Sequence, residues 1–420
     1  MNEEAVYRKV GLRLIPFMMV LYLVAFLDRV NVGFAALTMN KDLGLTPTIF
    51  GWGAGIFFFG YFIFEVPSNV ILEKVGARKW IARIMITWGI VSVAMAFTQG
   101  PISFYVLRFL LGVAEAGFLP GMILYLTYWY PSARRARITG LFMAAVPLAS
   151  AVGAPISGVI VSIDQAMGFK GWQWLFILEG VPAILLGFVV LGLLPNGPAT
   201  APWLSPAERQ LILDRLATDR EPPRTERTLG AALKDGRVIV LSIVYLGIVM
   251  GLYGVGLWLP QIVKAMGYTD KQVGYLLFIP YAVSAAAMLV WGRHSDAKGE
   301  RVWHVALAAG LAAVGLVGSV LFPAPLISLI ALSVASIGIY ATLGPFWPIP
   351  SRFLRGTAAA GGIALINAIG NLGGFAGPYL VGWVRETTGC FNIAMLVLAL
   401  AAAIAALLVL TLKREERSAG

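Results

Sequence analysis

Four charged residues lie inside apolar stretches of the first half of the chain. Asp28 and Arg29 are adjacent in "VAFLDRVNVGFA", and Arg108 and Glu115 fall within "FYVLRFLLGVAEAGF". A charged side chain at the centre of a bilayer costs about 3 kcal/mol on insertion scales. Four such residues in stretches this apolar therefore indicate a functional site.

The two arginines are suited to binding an anion, because a guanidinium offers a fixed fork of donors that matches a carboxylate and stays charged in poorly solvated surroundings. The two carboxyls, Asp28 and Glu115, are suited to carrying protons. Burial favours the neutral form of a carboxyl, whereas a nearby arginine favours the charged form. A substrate carboxylate that engages an arginine would therefore release a carboxyl of the protein to take a proton.

The spacing of these residues also permits a structural role. Arg108 and Glu115 are seven residues apart, which places them ~10 Å apart on nearly the same face of a helix. Asp28 and Arg29 are neighbours, so their side chains diverge by about 100° around theirs. Two cations and two anions could form structural ion pairs between the two stretches, and a pair that switches partners would combine both roles.

The elements that carry these residues follow from the composition. The chain has 420 residues, of which 59% are hydrophobic and 13% charged, and its mean hydropathy is +0.82. Soluble domains have about 25% charged residues, and an apolar stretch of about 20 residues spans the membrane core as a helix. The sequence therefore predicts an all-α polytopic membrane protein with twelve transmembrane helices. The predicted spans are residues 11–39, 48–72, 80–99, 102–128, 138–163, 172–194, 238–263, 271–292, 302–322, 326–349, 357–384 and 390–411.

The net charge of +11 is explained by topology rather than by a nucleic-acid partner. Of the 32 lysines and arginines, 25 fall at the termini and in the loops on their side of the predicted membrane, and five fall in the opposite loops. Positive loops stay in the cytoplasm, so we expect a protein of the inner membrane with both termini cytoplasmic. The single cysteine, Cys390, excludes an internal disulfide, and we expect no metal or cofactor.

An internal repeat divides the chain into a six-helix half at 1–194, a cytoplasmic linker at 195–236 and a second half at 237–420. The linker contains "LSPAERQLILDRL", which predicts a short amphipathic helix capped by Ser205 and Glu208. The four membrane charges have no charged counterpart at the repeat offset of 223 residues, so the fold does not require them. The offset pairs Gly44 with Gly267, Thr46 with Thr269, Gly51 with Gly274 and Glu73 with Asp296.

The paired loops "NVILEKVGARK" and "GRHSDAKGER" resemble the signature loop of the major facilitator superfamily. This resemblance implies two pseudo-symmetric six-helix halves that alternate the access of a central site between the two sides. It also implies that Glu73 and Arg78 in the first loop, and Asp296 and Arg301 in the second, form a conformational latch.

The strings "LDRVNVGFA", "FEVPSN", "LLGVAEAGFLPG" and "WLFILEG" resemble the anion:cation symporter family, whose substrates include tartrate-like, phthalate-like and sugar acids. By this resemblance Asp28 and Glu115 are proton-coupling residues, Arg29 binds the substrate, and Arg108 organises both carboxyls. Tyr61 matches a tyrosine that contacts substrate.

Other polar residues on the predicted spans have two interpretations each. Asn367 and Asn371, one turn apart on span 11, could bind substrate or join two helices by hydrogen bonds. Trp347 could line the cavity or anchor the helix at the interface. For Glu65 we favour a structural role, and for Glu179 a role in helix packing or gating.

We therefore predict a monomeric secondary transporter, not an enzyme, that takes up an organic carboxylate with protons by alternating access. Its partners are the carboxylate substrate, protons and the lipid bilayer. An anion exchanger without net proton movement would keep the arginines and is the main alternative. A membrane sensor that only binds its ligand is a further alternative.

Overall fold

The computed structural model is mostly α-helical. It describes residues 2–131, 134, 138, 142, 145–163, 165–219, 235–354 and 356–418. Before the linker the helices are α1 (Glu3–Asp42), α2 (Pro47–Val75), α3 (Ala77–Met95), α4 (Pro101–Glu115), α5 (Phe118–Thr127), α6 (Ala145–Val161) and α7 (Gly171–Leu193). The linker contributes α8 (Pro206–Thr218). After it come α9 (Gly236–Ala265), α10 (Asp270–Lys298), α11 (Val302–Leu321), α12 (Pro325–Phe346), α13 (Pro350–Phe353), α14 (Gly356–Thr388) and α15 (Asn392–Ser418).

Twelve membrane crossings are present among the described residues. Ten are long and apolar enough by length and composition, with α4 and α5 together forming one crossing and α12 and α13 another. The shorter apolar helix α6 forms the fifth crossing. The remaining one, α3, carries three basic residues near its first end, whose side chains can extend towards the interface. Large apolar side chains on the outer faces are exposed, as expected for contact with lipid.

The fourth crossing is broken, whereas the sequence predicted one continuous helix over 102–128. The helix α4 ends at Glu115, and α5 begins at Phe118. Gly117 between them has a φ of 82°, which glycine adopts without strain. Pro120 in the first turn of α5 lacks the amide hydrogen of a continuous helix. The break leaves Glu115 at a helix end.

Successive crossings alternate in direction, so the two termini and the linker share one side, the linker side. The ends near residues 42–47, 161–171, 265–270 and 388–392 lie on the opposite side. The helices before the linker form one group, in which α1, α6 and α7 pack together, and those after it form the other, in which α9, α14 and α15 pack together. Three helix pairs join the two groups: α1 with α9, α2 with α14, and α6 with α10.

The pairs α2 with α14 and α6 with α10 are in closest contact near the side of the bundle that lies opposite the linker. A Cβ on Gly51 of α2 would lie 2.5 Å from the carbonyl oxygen of Pro378 on α14, and one on Gly158 of α6 would lie 2.6 Å from the Cα of Gly274 on α10. Nearby, the backbone amide of Thr48 donates to a Glu386 carboxylate oxygen at 2.8 Å. These glycines thus permit the close helix approach for which small residues are suited, and they close the opposite side.

The predicted linker helix is present, and its capping residues are those expected. The Ser205 hydroxyl accepts from the Glu208 amide at 3.2 Å, and the Glu208 carboxylate accepts from the Ser205 amide at 2.8 Å. The same carboxylate pairs with Lys9 of α1 at 2.8 Å. These contacts fasten the linker helix to the start of α1. The remainder of the predicted linker, at 220–234, lies outside the described residues.

Candidate functional site

Arg29 lies between the two groups of helices and contacts both. Within the first half of the chain it forms a buried ion pair with Glu115 at the end of α4. Across the boundary its Nη1 donates to the Tyr253 hydroxyl on α9 at 3.0 Å. The guanidinium carbon also lies 5.2 Å from the ring centre of Tyr61 and 5.4 Å from that of Phe57. The aromatic rings favour a cation at this place.

Glu115 occupies a position that is unfavourable for a negative charge. It is the last residue of α4, where the helix carries a partial negative charge, and its side chain is buried. Its charged form therefore depends on Arg29 nearby. If another anion engaged Arg29, a proton on Glu115 would replace the lost ion pair.

Asp28 faces away from Arg29, towards α3. One of its carboxylate oxygens accepts from the Asn31 amide at 3.0 Å and from the Ser92 hydroxyl. It forms no ion pair within the described part of the chain. Helix α1 thus presents Arg29 on one face and a buried carboxyl on another, as the divergence of adjacent residues predicts.

Arg108 is completely buried between α2 and α4, and its direct partners differ from those expected. Its Nε donates to the carbonyl oxygen of Gly53 at 3.4 Å, and its Nη2 donates to that of Ala54 at 3.2 Å. Its guanidinium carbon lies 5.1 Å from the centre of the Phe57 ring. Arg108 thus shares the Phe57 ring with Arg29, and it is Arg29 that pairs with Glu115.

The predicted substrate-binding residues not yet placed lie nearer to the linker side than Arg29 does. They are Asn367, Asn371 and Trp347. Asn367 of α14 donates to Glu65 of α2 at 3.1 Å, which joins the two groups of helices there. Both side chains are half-buried, as is Asn371. Trp347 packs on Tyr245, with ring centres 4.8 Å apart. The structure thus brings Tyr61 to Arg29, while Trp347 contacts aromatic residues of its own half.

In the part of the chain that is described, no contact of the expected latch residues joins the two halves. Asp296 pairs with Arg301 at 2.5 Å. The backbone amide of Arg78 donates to Asn196 at 3.0 Å, and Glu73 is exposed.

Tyr253 was missed by the sequence analysis, although its hydroxyl accepts a hydrogen bond from Arg29 across the boundary between the halves. Its only signal is a tyrosine in the apolar string "VMGLYGVGLWLP", and an interior tyrosine of this kind is equally compatible with packing. Ser92 and Asn31 were missed for the same reason, since small polar residues are common in membrane helices.

The fold and the buried charges between two groups of helices define a polytopic membrane protein of the transporter type. The chain belongs to the major facilitator superfamily, whose family model matches residues 18–378. The predicted fold class, a twelve-helix major facilitator fold in two six-helix halves, is confirmed.

Relatives and solved structures agree with this assignment. The chain is 55% identical to the protein named "Putative tartrate transporter" of Agrobacterium vitis, over 93% of this chain and 90% of that one. It is 43% identical to a quinolone resistance transporter of Acinetobacter baumannii, over 92% and 90% of the two chains. A bacterial homologue of the human lysosomal transporter Spinster has the same fold, with a TM-score of 0.77, 15% identity and coverage of 95% and 96%.

Proposed function

We propose that this protein is a secondary transporter that moves an organic carboxylate into the cell together with protons. The observation that carries the proposal is Arg29, a buried cation held by Glu115 from one half and by Tyr253 from the other. An anion that binds Arg29 would displace a carboxylate of the protein and change a contact between the halves in the same step. The tartrate relative supports a carboxylate as the anion.

The coupling follows from competition for one guanidinium. A substrate carboxylate takes the fork of donors on Arg29 and leaves Glu115 without its cation. Because Glu115 is buried at the negative end of α4, it then takes a proton. Substrate and proton enter the site together, and loss of the substrate restores the ion pair and expels the proton. Arg108 supports this exchange by fixing α2 against α4.

To expose the site first to one side of the membrane and then to the other, the two halves of the chain would have to move relative to each other. We propose that residues 1–194 and 237–420 rock about the site, with the linker joining them. The close glycine contacts close the opposite side, and on the linker side the halves meet at the hydrogen bond from Asn367 to Glu65. With the linker in the cytoplasm, the side closed by the glycine contacts faces out of the cell.

The proposed orientation in the inner membrane, with cytoplasmic linker and termini, is testable with the natural cysteine. Cys390 lies on the opposite side in the turn between α14 and α15, where a hydrogen bond with Thr388 lowers the pKa of its thiol. An impermeant thiol reagent should label Cys390 in intact cells. In a Cys390→Ser background, the exposed Thr218→Cys of the linker helix should be labelled only after permeabilisation. The reverse pattern would overturn the orientation.

The substrate class is testable by thermal unfolding of the purified protein with a panel of ligands. We expect L-tartrate and related carboxylates to raise the melting temperature, since a ligand that binds only the folded state stabilises it. A neutral amide of the same shape should have no effect. Because one relative is named a quinolone resistance transporter, a quinolone is the alternative ligand to include in the panel. Stabilisation by a quinolone and by no simple carboxylate would contradict the proposed substrate class.

A further inference from the structure

Only one of the two arginines in the middle of the membrane helices is placed to bind an anion in the part of the chain that is described. Arg108 is completely buried between α2 and α4, and its Nε and Nη2 donate to the carbonyl oxygens of Gly53 and Ala54. The two helices are in backbone contact there, since a Cβ on Gly112 of α4 would overlap the carbonyl oxygen of Phe57 on α2. Arg108 therefore serves the packing of the first half.

Arg29, in contrast, is held by contacts that a ligand can replace. It pairs with the Glu115 carboxylate, and its Nη1 donates to the Tyr253 hydroxyl. Its Nε is buried without a hydrogen-bond partner among the described residues. A single carboxylate that takes the place of Glu115 would use the whole charge of this guanidinium. The site therefore offers one positive charge to a substrate.

The second half of the chain adds no further cation to the site. In its described helices the charged residues all lie near the helix ends, and both histidines, His294 and His304, lie at the linker-side ends of α10 and α11. The group that this half brings to Arg29 is the hydroxyl of Tyr253. A hydroxyl is neutral and can donate as well as accept a hydrogen bond.

The carboxyls within the described membrane crossings already outnumber the arginines in the middle of these crossings. They are Asp28, Glu65, Glu115 and Glu179, against Arg29 and Arg108. A substrate with two ionised carboxylates would bring one charge to Arg29 and leave the other without a cation. An isolated buried ion is so unfavourable that the group becomes neutral instead. A second carboxyl of the substrate should therefore enter the site as the protonated acid.

We propose that the site accepts organic acids that carry a single negative charge, so that a dicarboxylic acid is bound and carried as its monoanion. The ionised carboxylate lies at Arg29. The protonated second carboxyl, or another neutral polar group, points towards the second half, where the Tyr253 hydroxyl adjoins Arg29. A dicarboxylic acid thus brings a proton of its own, besides the one taken by Glu115. This charge restriction rests on the carboxylate transport proposed above.

Titration calorimetry of the purified protein with L-tartrate and with its monoamide distinguishes the two charge states. The monoamide has nearly the same shape and only one ionisable carboxyl, and the diamide, which has none, is the control. Free tartrate is a dianion at neutral pH, so binding as the monoanion requires one extra proton. The affinity for tartrate should therefore fall about tenfold more steeply per unit rise of pH than the affinity for the monoamide. At neutral pH the monoamide should bind more tightly than tartrate.

The same calorimetry counts the extra proton directly when it is repeated in buffers with different heats of ionisation. Proton uptake on binding should be one proton greater for tartrate than for the monoamide. The difference should be the same in the wild type and in Glu115→Gln, because the extra proton resides on the ligand and not on the protein.

Equal proton uptake and equal pH dependence for the two ligands would mean that tartrate binds as a dianion. The charge restriction would then be wrong, while carboxylate transport would still stand. Binding of tartrate without binding of the monoamide would overturn the restriction in the same way. If the folded protein binds neither ligand, the proposed carboxylate site itself fails and the charge restriction fails with it.

Discussion

Replacing Arg29 by lysine is expected to weaken carboxylate binding tenfold to a hundredfold, although the charge is kept. Arg29 donates in two directions at once, to Glu115 and to Tyr253, while its guanidinium carbon lies over the ring of Tyr61. A lysine is a point donor and cannot form two parallel hydrogen bonds with a carboxylate. Hydrogen bonds to charged groups contribute about 1.5–3 kcal/mol, which corresponds to roughly that loss of affinity.

Calorimetry with L-tartrate on each folded variant measures this loss, and Arg108→Lys is the matched comparison. Arg108 is completely buried and holds the carbonyl oxygens of Gly53 and Ala54. Its replacement should therefore reduce transport at least as much as binding. Near-native affinity in Arg29→Lys would mean that Arg29 is a structural partner of Glu115. The anion site would then have to be sought around Arg108, Tyr61 and Asn371.

Asp28→Asn and Glu115→Gln are each expected to abolish substrate accumulation driven by a pH gradient. Each change removes a carboxyl that we propose to take a proton and retains a side chain of nearly the same shape. Glu115→Gln also frees Arg29 from its ion pair, so this variant should still bind the carboxylate. At least one of the two should continue to exchange labelled for unlabelled substrate across the membrane, because exchange needs no net proton movement.

The exchange assay is the internal control for these two variants. A variant that neither accumulates nor exchanges substrate has lost more than coupling, and its folding must be checked by thermal unfolding. If both variants still accumulate substrate, the proton passes elsewhere. The half-buried Glu65, which faces Asn367 across the boundary between the halves, would then be the next carboxyl to replace.

The fold was predictable because the bilayer restricts it strongly. Its thickness sets the length of an apolar helix, so twelve stretches could be counted from hydropathy alone. The linker helix was predictable because capping is local and depends on Ser205 and Glu208 three residues apart. The break in the fourth crossing was not, because glycine and proline are common in membrane helices that continue through them. Gly117 is distinguished only by its backbone angle.

The charged residues near the site could be found from the sequence, but their partners could not. Charges are costly in a membrane, so Asp28, Arg29, Arg108 and Glu115 stand out in any apolar stretch. The side chains that meet across helices depend on the rotation of each helix in the bundle. Rotation places Glu115 against Arg29 rather than against Arg108.

The same limit applies to the second half of the chain. Tyr253 is an ordinary residue of an apolar helix until α9 is packed against α1. Asp28 and Ser92 are 64 residues apart in sequence, and only the packing of the helices brings them together. Residue types and spacing within one helix carry no information on either contact.

Accumulation of labelled L-tartrate by the purified protein in proteoliposomes, with the membrane potential clamped and the outside made acidic, tests proton coupling most directly. We expect the internal concentration to rise above the external one and to fall back when a protonophore removes the pH gradient. Glu115→Gln should only equilibrate the label. Accumulation that requires unlabelled tartrate inside and is indifferent to the protonophore would contradict proton coupling and identify an anion exchanger.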